Sequence, residues 1–106
     1  MKSILIFDEK QYFFITIEKC LTKENVTLKC LKNLEEVDEL NDRNKTLIYI
    51  IYDFDNLYDA ILRMNKSRNF VFASHNQHIL KQFSTTKMIK FIDLNKIDNI
   101  KKIAIM

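Results

Sequence analysis

The chain predicts an α/β domain built on a parallel sheet covered on both faces. Three observations carry that expectation. Apolar runs of strand length alternate with segments whose apolar residues recur at helical spacing, five times over. The run Leu47-Ile48-Tyr49-Ile50-Ile51-Tyr52 is apolar at every position, as a central strand buried on both faces must be. Two runs stop at acidic residues, Ile4-Leu5-Ile6-Phe7 at Asp8-Glu9 and the central run at Asp53-Phe54-Asp55. Parallel strands end at one edge, and the crevice there is where such sheets bind ligands.

The elements follow in order. Ser3–Phe7 reads as a buried strand. Lys10–Lys23 reads as a helix, with Phe13, Phe14, Ile17 and Leu21 at near-helical spacing. Val26–Leu31 alternates Val26, Leu28 and Cys30 against Thr27 and Lys29, the period of a strand with one wetter face. Asn33 and Glu36 have capping-box spacing, and Leu34, Val37 and Leu40 form the stripe of a short acidic helix. Thr46–Tyr52 is the central strand, and the helix from Asn56 to about Asn65 turns Leu57, Ala60, Ile61 and Met64 inward. Phe70–Ala73 is a fourth strand, and Asn76–Phe83 a helix presenting Ile79, Leu80 and Phe83. Met88–Ile92 is a fifth strand. Asn95–Ala104 is the closing helix, with Ile97, Ile100 and Ile103 inside. No linker, repeat or low-complexity segment interrupts the pattern, so residues 1–106 read as one domain.

Composition excludes several functions. The chain has no glycine, so the phosphate-cradling loops that need close backbone approach are absent. It has no proline either, and its turns must rest on Asn and Asp, which tolerate left-handed backbone. No apolar stretch approaches the roughly 18 residues of a membrane span, and Met1-Lys2-Ser3 leads straight into a strand and not into a signal peptide. The expected location is the cytoplasm. Cys20 and Cys30 lack metal or redox spacing and read as buried free thiols. His75 and His78 stand at i and i+3 without a third ligand nearby. Neither a Ser-His-Asp triad nor a Cys-His pair can be assembled, so the expectation is a non-enzymatic protein.

Charge is uneven. Residues 1–60 carry 8 Lys/Arg and 12 Asp/Glu, a net of −4, whereas residues 61–106 carry 9 and 2, a net of +7. The basic residues are scattered among apolar ones without interleaved aromatics, which speaks against a nucleic-acid surface.

With its strand-end acids in this order, the chain resembles a response-regulator receiver domain, and the resemblance spans almost its whole length. It implies a flavodoxin-like (βα)5 fold with strand order 2-1-3-4-5. It further implies that Asp8, Glu9 and Asp53 hold Mg2+, that Asp53 accepts the phosphoryl group and that Ser74, after Phe70-Val71-Phe72-Ala73, senses it. Phosphoryl transfer to a carboxylate is mainly positioning and charge neutralisation, which is why the metal matters in that family. The family also carries a lysine at the end of strand five, where this chain has Asp93; Lys90 lies too early in Met88-Ile89-Lys90-Phe91-Ile92. The prolines and glycines that flank the family's site are absent as well. The resemblance is therefore to an atypical receiver, or pseudo-receiver, which implies weak or absent phosphorylation and action through protein–protein contact. The partner would be a histidine kinase, an output protein or a second copy. The basic residues Lys81, Lys87, Lys90, Lys96, Lys101 and Lys102, on the α4–β5–α5 side, would form the contact surface.

A second resemblance belongs to another class. Glu9 after the first strand and Asp53-Phe54-Asp55 after the third resemble the Mg2+ ligands of the Toprim fold of primases, topoisomerases and small nucleases. That family follows both motifs with glycine, which this chain lacks. A simpler reading stands beside both: Asp8 and Asp53 each sit where an Asp caps a helix N-terminus.

Overall fold

The computed structural model describes residues 2–39, 45–63, 69–85 and 90–105. Its centre is β3, Thr46–Ile51, in which every residue is buried. β1 (Lys2–Phe7) pairs with β3 on one side and β2 (Val26–Leu31) on the other, while β4 (Asn69–Ser74) and β5 (Phe91–Asp93) extend the opposite side. All pairings are parallel and the strand order is β2-β1-β3-β4-β5. The five-stranded α/β architecture read from the sequence is the one observed.

Strand alternation divides the core into two layers. Ile4, Ile6, Ile48, Ile50 and Val71 face α1 (Phe14–Cys20), α5 (Ile97–Lys101) and the 3-10 turn Lys102–Ile105, meeting Ile17, Ile100 and Ile103. Leu5, Phe7, Leu47, Tyr49, Ile51 and Phe72 face α2 (Leu34–Asp38), α3 (Phe54–Arg63) and α4 (Gln77–Ser84), meeting Val37, Leu57, Ala60, Ile79 and Phe83. Each such aliphatic or aromatic side chain removed from water contributes about 1.5–3 kcal/mol. Together they offset the ordering of the chain.

Several boundaries move from the sequence reading, each for a local reason. α1 begins at Phe14 and not at Lys10, because Gln11 takes a left-handed backbone, with φ of 58°, and Asp8 collects the amides that precede the helix. The capping box at α2 is present. Asn33 accepts from the Glu36 amide at 2.9 Å, and Glu36 reaches back to the Lys32 amide at 2.8 Å. α3 starts two residues earlier than expected, with Asp53 as its cap, and Ile61 lies exposed and not inward. β5 is described over Phe91–Asp93, ending one residue later than the apolar run implied, and α5 is a short helix continued as a 3-10 turn. Both cysteines are half-buried and free, where full burial was expected. Leu40, Met64, Lys87, Met88 and Ile89 lie outside the described residues.

Candidate functional site

The order of the sheet sets the site. The chain leaves β1 toward β2 and later moves from β3 toward β4, so the strand order reverses between β1 and β3 and opens a crevice at their carboxyl ends. Asp8-Glu9 and Asp53 both stand at that edge. Their side chains diverge, however, because consecutive residues leaving a strand point to opposite faces.

Asp8 turns toward the α1 layer and is 1% exposed. Oδ1 accepts from the Gln11 amide at 2.9 Å, and Oδ2 accepts from the amides of Phe13 at 2.8 Å and Phe14 at 3.0 Å. The Tyr52 hydroxyl donates to Oδ1 as well. A carboxylate offers about four acceptor positions, and the chain itself fills them all. Asp8 therefore works as the clamp that starts α1 and ties the end of β1 to the end of β3. Tyr52 was read as the last residue of the central strand; it sits just past β3 and supplies this bond. Burial, then the bond to Asp8 and the Asp8 charge, hold its hydroxyl well above the ordinary tyrosine pKa.

Glu9 turns the other way. Its Oε2 accepts from Asn56 Nδ2 at 2.7 Å, and Asn56 Oδ1 accepts from the Tyr52 amide at 3.2 Å. Asp53 Oδ1 accepts from the Asn56 amide at 2.9 Å, the geometry of an N-cap on α3. Glu9, Asp53 and Asp55 line one cleft with Glu35, Asp59 and Asn56, over a floor that includes Phe7 and Tyr49. The cleft has a volume of about 630 Å³. Five carboxylates face it against the single ammonium of Lys32. Of the three acids that the receiver resemblance assigns to Mg2+, the cleft unites Glu9 and Asp53 and excludes Asp8. Asp8, with every acceptor position occupied, does not fit a metal. The Toprim set of Glu9, Asp53 and Asp55 shares the cleft, but among the described residues no three acidic, cysteine or histidine side chains gather as a metal-ligand group.

The rest of the edge is fastened by its own polar side chains. Ser74, fully buried, donates to the Ile51 carbonyl at 2.6 Å and accepts from the Asn76 amide at 3.1 Å. Its hydroxyl thus joins β3 to β4. Asp93 Oδ1 accepts from the Asn95 backbone and side-chain amides at 2.9 and 3.0 Å, closing the turn after β5. The position after Ile92, where the family carries its lysine, is this carboxylate. In the first loop, Lys10 Nζ stands 5.2 Å from the Tyr52 ring centre.

Three asparagines form a pattern that the sequence reading missed. Asn56, Asn76 and Asn95 each follow a strand, and each spends its side-chain amide on the end of the neighbouring one. Asn56 reaches Glu9, Asn76 the Tyr52 carbonyl at 3.3 Å, and Asn95 the His75 carbonyl at 3.0 Å. The signal was available as an Asn a few residues beyond each of the last three strands, in a chain without glycine or proline. His75 and His78 are both exposed, and the His75 ring lies 5.0 Å from that of Phe13.

No protein-family model matches the chain, and no curated protein matches it.

Asp53→Asn is expected to raise stability by about 1 kcal/mol. Asn caps as well as Asp, and the substitution relieves repulsion within the acidic cleft. A lower thermal midpoint for the variant would mean that the α3 dipole uses the Asp53 charge more than its neighbours oppose it.

Proposed function

We propose that the chain is a receiver-like signalling domain that acts by binding another protein and does not depend on phosphorylation of Asp53. The observation that carries this reading is the saturation of Asp8. The carboxylate that the resemblance would give to a metal is consumed by Gln11, Phe13, Phe14 and Tyr52. A phosphoryl group on Asp53 would also enter a cleft lined by four other carboxylates and one lysine. Lys32 is the single cation lining that cleft among the described residues, too little to neutralise the added charge as phosphoryl transfer requires.

Surface features support a binding role. Phe54, Tyr58, Ile61 and Leu62 stand at i, i+4, i+7 and i+8 along α3, on the side away from buried Leu57 and Ala60. Tyr58 is 64% exposed and Leu62 80%. Contiguous apolar surface of this kind marks contact with a partner. Lys81, Lys90, Lys96, Lys101 and Lys102 are exposed on or beside α4, β5 and α5, a second surface suited to an acidic partner; Lys87 lies outside the described residues. A histidine kinase, an output protein and a second copy are the partners in this proposal. No described helix is long and apolar enough to cross a membrane.

Incubation with acetyl phosphate and Mg2+, followed by intact-mass measurement and sedimentation, tests the proposal. The expected result is unmodified protein. Stoichiometric phosphorylation with a change of oligomeric state would make this an ordinary working receiver.

A further inference from the structure

The floor of the acidic cleft holds one buried hydroxyl that the described residues leave unused. Tyr49, in the middle of β3, lines the floor of the cleft, is 0% exposed and has a hydroxyl with no hydrogen-bond partner among the described residues. An unmade bond to a buried hydroxyl is unfavourable, and native proteins seldom leave one without a reason. The nearby side-chain cation, Arg63, is engaged by acids, one of them the cleft's own Asp59, whose Oδ1 lies 3.8 Å from Nη1. Its Nε lies 2.9 Å from Asp38 Oδ1, an ion pair without hydrogen-bond alignment, and its Nη1 donates to the Asp59 carbonyl at 3.3 Å.

We infer that this cleft binds a guanidinium group, that of an arginine side chain presented by a partner protein. The identity of the donor rests on the protein-binding reading above; the guanidinium chemistry rests on the cleft alone. Five carboxylates around one lysine attract a cation. A planar guanidinium has five N–H donors, so it can bridge a carboxylate with two and still offer one to Tyr49. It also stacks on aromatic faces and is more weakly hydrated than an ammonium. The floor is apolar but closed, the buried Phe7 and Tyr49 rings packing on each other 4.8 Å apart between centres, so the weaker hydration and not stacking is what favours a guanidinium there. A hydrated metal ion gains nothing from that floor. Glu9 and Asp53 each have one oxygen held by α3, which fixes the carboxylates in place before the ligand arrives.

The test is an amide-shift titration of the isotope-labelled full chain with three probes: N-acetyl-arginine methylamide, agmatine and MgCl2. The arginine probe is expected to produce saturable shifts at Glu9, Leu34 and Asp55. Tyr49→Phe removes only the unpartnered oxygen, so it is expected to stay folded while weakening the arginine probe about tenfold, the effect of one hydrogen bond to a charged donor. Asp55→Asn, at an exposed position, is expected to weaken it several-fold. Equal affinity in Tyr49→Phe, or no saturable shift, would overturn the site. Binding of agmatine without the arginine probe would overturn the side-chain donor and leave a free guanidinium ligand. The same amides moved by MgCl2 at far lower concentration would make the cleft a metal pocket. None of these results depends on phosphorylation, so the proposed function stands or falls separately, on the acetyl phosphate experiment.

Discussion

Replacing Asp8 with Ala is expected to cost about 3–5 kcal/mol, enough to leave a domain of this size close to unfolding. The reason is the number of donors that depend on one carboxylate. Three backbone amides at the start of α1 and the Tyr52 hydroxyl all donate to Asp8, which is 1% exposed. Ala would leave the partly buried amides and the buried Tyr52 hydroxyl without their acceptor and open a cavity beneath α1. Asp8→Asn is the sharper experiment. Its amide nitrogen cannot accept, so at least one of the donors loses its partner at about 1–3 kcal/mol. An acid of the same position in a repelling metal pocket would behave in the opposite way, because losing its charge would relieve repulsion. Urea unfolding of the two variants decides by sign. A higher midpoint for Asp8→Asn would return Asp8 to an acidic cluster and remove the main support for the proposed function.

The fold was legible because its signals are periodic and redundant. The unbroken run from Leu47 to Tyr52 could only be a central strand, and the β-α alternation around it left little freedom for the sheet. Boundaries were harder where one side chain overrides the pattern. The apolar spacing of Phe13, Phe14, Ile17 and Leu21 does not say that Asp8 will hold Phe13 and Phe14 by their amides and delay the helix. Ile61 fits an inward stripe by spacing yet lies exposed on α3. At the site, strand-end acids correctly marked the edge and the crevice. Grouping Asp8 with Glu9 overlooked strand alternation, which sends neighbours to opposite faces. Tyr52 carried a readable hint as well: a tyrosine inside an apolar run needs a partner for its hydroxyl, and the nearest strand-end acid is the natural acceptor. Tyr49 carried the same hint, but its hydroxyl finds no partner among the described residues. That difference was not in the sequence, because it depends on what the entry to α1 brings to Tyr52 on one face of the sheet and what α2 and α3 bring over Tyr49 on the other.

The two tyrosines should make the protein sensitive to alkali. Burial is the first cause that raises both hydroxyls above the ordinary tyrosine pKa; the bond to Asp8 follows for Tyr52, and the Asp59 charge for Tyr49. A tyrosine in the unfolded chain begins to lose its proton near pH 10. In the folded chain both keep theirs to higher pH. Above about pH 10 the unfolded state therefore binds fewer protons than the folded one, and stability falls as pH rises. Below that pH the contribution is fully present. In the window between the unfolded and folded values, each tyrosine costs about 1.4 kcal/mol per pH unit, so the pair should cost nearly 3. Lysines ordinarily titrate in the same range, but they are common to all variants and cancel in a comparison. Urea unfolding at about pH 9, 10 and 11 is expected to show a steep loss for the native sequence and a shallower one for Tyr52→Phe and Tyr49→Phe. The Tyr52→Phe variant should start from lower stability at neutral pH, because Asp8 loses a donor. Tyr49→Phe should start no lower, because its hydroxyl has nothing to lose. Parallel curves for all three proteins would mean that neither hydroxyl is held protonated by the fold, and the buried settings of Tyr49 and Tyr52 would both be wrong.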